Sequence, residues 1–426
     1  MSSKMRLSFH FPKNLVPSFF LGSFFFFWVG FQTAFLGSLT TPCKAQYLPS
    51  YDSVEMLISN NAVQLACTEA MNNLYNFDFR RSEDVFLYLK RRYPQHPIAY
   101  FLLGLSERWK IMPNTEETRY DAKFMAYMDS TILYGEALYD KYEDDENNPQ
   151  KAVEAAFFVA GGYAFKGWLN AERGNKTKAA FEAKKALKYH QLAAGNTDLT
   201  PELLFGDGLY NYYVEYVAEN YPGVKPILWF FKNGEKEKGI AQLEEVVREG
   251  FYTKTEAQYF LMTIYKNENQ REKASLLAEY LHQTFPNNPY FHRYYAIALF
   301  QTGDYQKLRT VSLDILNRID SGWVGYEATN GRYAAFYLGY IYKLYRDYTQ
   351  AQHYLERAVA FGESNNAQQA GYYLYSLAYL GQIAHQQKNY QQAKAYYEKI
   401  LDHAEKSHAT KDEAKKYLKD NKKLFK

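Results

Sequence analysis

The feature that most limits how this chain can fold is a recurrence between Thr255 and Asn389, where helical runs of apolar residues are cut at regular intervals by short polar turns. Tyr305, Tyr348 and Tyr390 occupy the same place in three successive repeats and step by 43 and 42 residues. Small residues recur at fixed offsets around them: Gly339 and Gly381 before the turn, Ala351, Ala358 and Ala393 after it. Small residues let two helices of a pair approach closely, while larger ones fill the space between pairs. One pair cannot cover its own apolar face, so such pairs are expected to stack.

With Thr255 as the first position of a repeat, Ala274, Leu281 and Pro286 fall at positions 20, 27 and 32, and the next repeat starts 34 residues later at Pro289. The repeat from Arg332 places Leu338, Gly339, Tyr342, Tyr348, Ala351 and Ala358 at positions 7, 8, 11, 17, 20 and 27. The repeat from Leu374 has Leu380, Gly381, Tyr390, Ala393 and Tyr397 in matching places. These positions resemble the tetratricopeptide (TPR) repeat family. The resemblance implies an all-α fold, a TPR-like α-solenoid in which antiparallel helix pairs stack into a right-handed superhelix. It also implies a non-enzymatic protein that works by presenting a surface.

Upstream the pattern is looser. Pro94, Tyr100, Leu103 and Gly104 fit repeat positions before Met112-Pro113-Asn114 interrupts them, and a further repeat runs from Ala160 with Tyr163, Gly167, Gly174, Ala179 and Ala186. In Tyr221-Pro222-Gly223-Val224-Lys225-Pro226, two prolines and a glycine stop regular helix. The expected organisation is an export signal or anchor over residues 1–45, a divergent helical region over 46–220, a connector over 221–234, a repeat array over 235–408 and a lysine-rich capping helix over 409–426.

Residues 1–45 carry Lys4, Arg6, Lys13 and Lys44 and no acid, with a Phe-rich uncharged stretch from Leu15 to Leu39. Cleavage after Ala45, retention as a membrane anchor, and lipidation of Cys43 are the three readings of this segment, and each exports the rest of the chain. The remainder holds 46 basic against 47 acidic residues, so it lacks the basic excess that a general nucleic-acid binder needs. If Cys43 leaves, Cys67 is the one thiol and packing must supply all the stability. The scarcity of cysteine and the single sequon at Asn175 favour the periplasm or envelope of a Gram-negative bacterium. Tyrosine is the compositional outlier, with 42 residues in 426.

No zinc, phosphate-loop or nucleophile-elbow pattern stands out, and neither a cofactor nor a metal is expected. Gly206-Asp207-Gly208 sits in a helical context and reads as a close-packing device, Cys67 as a small buried residue, and His403 and His408 as solvated side chains. In the family that the repeats resemble, ligand contacts come from one face of the first helix of each pair. Carried over, that face comprises Trp109, Trp168, Tyr259, Tyr290, Arg293, Tyr333, Phe336, Tyr340, Lys343, Tyr375 and His385. Such a groove would suit a protein or peptide partner, or alternatively a carbohydrate stacked on the same rings. The Lys and Asn pair with which the family clamps a C-terminal carboxylate is missing from these repeats.

Overall fold

A computed structural model describes residues 48–220 and 233–425; residues 1–45, expected to be an export signal or anchor, and 221–232 of the expected connector lie outside the described residues. Seventeen α-helices and no strand occur among the described residues. Most helices pack on their neighbours in sequence, which makes the fold an all-α solenoid. No described helix is long and apolar enough to cross a membrane.

The helices group into two modules. The larger, within residues 48–111 and 118–285, holds α1 (Asn61–Tyr75), α2 (Phe79–Arg92), α3 (Pro97–Ile111), α4 (Asp121–Tyr142), α5 (Pro149–Glu172), α6 (Lys176–Ala193), α7 (Glu202–Asn220), α8 (Lys236–Glu249), α9 (Lys254–Asn267) and α10 (Arg271–Thr284). The smaller, residues 112–117 and 286–425, holds α11 (Pro289–Thr302), α12 (Tyr305–Asp320), α13 (Ala328–Leu344), α14 (Tyr348–Ser364), α15 (Gly371–Gln386), α16 (Tyr390–His403) and α17 (Ala409–Asp420).

Six helix pairs turn in the same way. Phe77, Gly174, Asn269, Gly303, Arg346 and Lys388 each take a left-handed conformation with φ between 58° and 80°. In each case the next residue's N–H donates to the carbonyl five residues back, at 2.7 to 3.1 Å: Asp78 to Asn73, Asn175 to Asn170, Gln270 to Tyr265, Asp304 to Leu299, Asp347 to Tyr342 and Asn389 to Ala384. This bond satisfies an end carbonyl of the first helix. In four of the six, the side chain of that same next residue caps the following helix: Asp78 accepts from the Arg81 N–H, Asp304 from Lys307, Asp347 from Gln350 and Asn389 from Gln392. Two residues therefore end one helix and start the next.

The two helices of a pair are buried differently. Every residue of α11 from Pro289 to Phe300 is buried, and α13 and α15 are nearly as enclosed. The partner α12 buries only Leu308, Ser312, Ile315 and Leu316, a stripe on one helical face. At the crossings the small residues are required by space. A Cβ on Gly339 would lie 2.6 Å from Leu355 Cγ, and one on Gly239 would lie 2.6 Å from the Tyr212 backbone nitrogen and 2.7 Å from the Gly208 carbonyl oxygen. Cys67 is fully buried, and burial pushes its thiol up to about 12.

At Gly303 (φ 80°) an added Cβ would meet nothing within 4 Å, so a substitution there tests backbone conformation alone. Gly303→Ala is expected to cost about 1 kcal/mol, the penalty of a Cβ in the left-handed region. A chemical denaturation curve should show a lower midpoint at unchanged helical ellipticity.

Candidate functional site

In the smaller module the rings of α11, α13 and α15 form a continuous row. Tyr290 stacks on Tyr294 at 4.6 Å, Tyr333 meets Tyr372 edge-on at 4.7 Å, and Phe336 stacks on Tyr372 at 4.4 Å and on Tyr379 at 6.0 Å. Tyr340 packs edge-on against Phe300 at 5.2 Å, and the Lys343 ammonium lies 4.6 Å from the centre of the Tyr379 ring. Tyr375 faces His408 at 5.5 Å, while His385 Nδ1 and the Tyr417 hydroxyl are 2.9 Å apart. Of the residues carried over from the repeat pattern, Tyr290, Arg293 and Phe336 are buried, whereas Tyr333, Tyr340, Lys343, Tyr375 and His385 are half-buried and keep part of their surface open. His408 caps α17 through its ring nitrogen.

One end of this row holds a piece of the chain itself. Residues 112–117 belong to the smaller module, and Arg293 Nη1 donates to the Pro113 carbonyl at 2.7 Å and to Asn330 Oδ1 at 2.6 Å. The Asn114 amide is held at both atoms: its Nδ2 donates to Glu327 at 3.2 Å, and its Oδ1 accepts from the Thr329 hydroxyl at 3.1 Å. Asn365 in turn donates to Thr329 at 3.0 Å, and the Arg293 guanidinium lies between the rings of Tyr290 and Tyr333.

In the larger module Trp109, Trp168 and Tyr259 surround a buried ion pair. Arg108 Nη1 donates to Glu256 Oε2 at 2.8 Å, and Trp109 Nε1 and the Tyr75 hydroxyl donate to Glu256 Oε1 at 2.7 and 3.3 Å. The guanidinium lies 5.2 to 5.7 Å from the ring centres of Trp109, Trp168 and Tyr259. Trp109 is fully buried and Trp168 is 8% exposed, so both act inside the core, whereas Tyr259 is half-buried. Local spacing gives no sign of Glu256, which stands 148 residues from Arg108.

Beside that pair lies a partly enclosed cavity of about 220 Å³. Its walls come from α3, α5, α6, α7 and α9 with the residues just before it. Helices α6 and α7, although successive, hardly touch, and both line the cavity. The polar groups are few. His190 Nε2 stands 3.5 Å from Asp207 Oδ1, and the His190 ring stacks on Tyr210. Burial lowers the pKa of His190 and raises that of Asp207. Gly208, in the same tripeptide, packs against Leu243 and Gly239. Among the described residues no cluster of His, Cys, Asp and Glu could hold a metal ion.

No family model matches this sequence, and comparison with curated proteins gives no match.

Glu256→Ala would strand a buried guanidinium and is expected to cost about 3–5 kcal/mol, whereas Arg108→Met combined with Glu256→Leu should cost less, the remaining loss coming from the Trp109 indole and Tyr75 hydroxyl left without their acceptor. Thermal denaturation of the single and double variants checks this. A second expectation concerns alkali. Burial raises the phenols of Tyr75, Tyr252, Tyr337, Tyr372, Tyr379 and Tyr397, and takes Tyr340 to about 12. Folded phenols keep their protons where unfolded ones lose them. Their contribution to stability is complete below about pH 10 and is lost as pH rises through the folded values. Denaturation midpoints measured across that range should hold steady to about pH 10 and fall above it.

Proposed function

We propose that this chain is an exported, non-enzymatic scaffold of the TPR kind that binds an extended polypeptide along the ring-lined face of α11, α13 and α15. The observation that carries this reading is the way the face holds residues 112–117. Arg293, at a position where the resembled family contacts its ligands, takes the Pro113 carbonyl, and Asn114 is read at both amide atoms. A surface that engages main-chain and side-chain amides at one end, and continues as partly open rings beyond it, suits a polypeptide threaded along it. Tyr333, Tyr340 and Tyr375 offer broad, rigid contact area, and their ordering costs little entropy. Lys343 and His385 supply donors beside them.

Placement in the envelope rests on the composition of residues 1–45, with their basic start, Phe-rich stretch and small residues before Gln46. The carbohydrate reading rests on the same rings and is separated by the same experiment.

A displayed library of linear peptides, selected on the chain from residue 46 onward, should enrich binders whose affinity falls tenfold or more with Tyr333→Ala and Tyr340→Ala together, given about 1 kcal/mol or more per central ring. Circular dichroism establishes that the variant keeps its helices. Oligosaccharide binding that disappears in this variant, with no peptide enriched, would replace the polypeptide reading. Peptides that bind the variant equally well would remove it.

A further inference from the structure

The cavity of the larger module has no part in the polypeptide-binding reading. We propose that it is a binding site for the alkyl chain of an uncharged amphiphile, whose hydroxyl head would meet the His190–Asp207 pair. Successive helices are otherwise tightly packed in this module, yet α6 and α7 hardly touch. The volume that their packing would have filled is left as a space of about 220 Å³. It is larger than an engineered apolar cavity of about 150 Å³ that stays dry and binds benzene.

Side-chain choice keeps the space open. Ala160 and Ala164 on α5 and Ala183 and Ala186 on α6 line it, where larger apolar residues would fill it. Interiors pack as densely as organic crystals, so an unfilled apolar space of this size forfeits dispersion contacts that a ligand can restore.

The polar corner selects the head group. No Lys or Arg is among the described residues lining the cavity, and the two acids there are Asp207 and Glu256. Glu256 is matched by Arg108, Trp109 and Tyr75, which leaves the His190–Asp207 pair, beside the hydroxyl-bearing Tyr210, Tyr213, Tyr252 and Thr253, as the ionisable pair of the lining. A carboxylate or phosphate head would face Asp207 with no Lys or Arg among the described lining residues to offset it, Lys238 acting on Asp207 from outside the lining. A hydroxyl can donate to Asp207 and accept from the imidazole, at the end of a chain held by the rings of Phe101, Phe165 and Phe260.

The test uses the chain from residue 46 onward, titrated calorimetrically with hexanol, octanol, decanol and sodium decanoate at neutral pH. The alcohols should bind at one saturable site, with affinity rising about fourfold per added methylene until the cavity is full. Decanoate should bind at least tenfold more weakly than decanol, and Asp207→Asn should strengthen its binding. Ala164→Leu and Ala186→Leu, which fill the space, should each abolish decanol binding with an unchanged or higher melting temperature. Where a filled variant fails to fold, the comparison of decanol with decanoate on the unaltered protein decides. The proposal is overturned by alcohols that do not saturate, by decanol binding that survives in the filled variants, or by decanoate binding as tightly as decanol.

Discussion

Twelve consecutive residues of α11 are buried, so that helix has no face to offer water and exists only because its neighbours enclose it. An isolated helix of this length is marginal in water whatever its sequence. Stability here comes from the alternation of enclosed first helices, such as α11 and α13, with striped partners, such as α12 and α14, that give one face to the core and the other to solvent. The arrangement is one-dimensional in its energetics: each pair is held chiefly by the pairs beside it. A residue that widens a crossing, as a Cβ at Gly339 or Gly239 would, acts on the junction between two helices and on little else.

How much of this was legible depends on the range over which each interaction acts. The helix pairs follow from local chemistry. Gly303-Asp304 and Asp347 before Tyr348 announce turns, because left-handed backbone and a capping carboxylate are demands that a few adjacent residues meet. Four of the six turns place Phe, Asn, Arg or Lys in the left-handed position, where glycine costs least, and there the periodicity on either side carries the signal instead. Glu256 shows the opposite case. Its partners Arg108, Trp109 and Tyr75 lie between 147 and 181 residues away, and no spacing rule joins them.

The same limit applies to the row of rings. Repeat positions put Trp109 and Tyr333 on equivalent faces of their helices, yet Trp109 is fully buried beside Glu256 while Tyr333 keeps part of its surface open. Spacing fixes the face of a helix; what covers that face is decided by packing. The cavity was illegible for a related reason. Ala160, Ala164, Ala183 and Ala186 read as ordinary close-packing residues, since an alanine beside a neighbouring helix and an alanine beside a void look alike in one dimension.

The abundance of tyrosine has a structural origin that bears on which rings are available to a partner. Tyr163 and Tyr189 both donate to Glu136 at 3.0 Å, Tyr212 donates to Glu268 at 2.9 Å, Tyr265 to Glu244 at 2.6 Å and Tyr373 to Glu363 at 3.3 Å. In each case a ring fills space beside a neighbouring helix while its hydroxyl reaches a carboxylate, so one side chain packs and bonds together. Phenylalanine would supply the first function and lose the second, removing one of the carboxylate's donors. A tyrosine used in this way is a joint between helices. Tyr333, for which no such carboxylate bond is found among the described residues, is tied to its neighbours through ring contacts with Tyr337 and Tyr372, so under the proposed polypeptide-binding reading its hydroxyl can be engaged without dismantling a joint between helices.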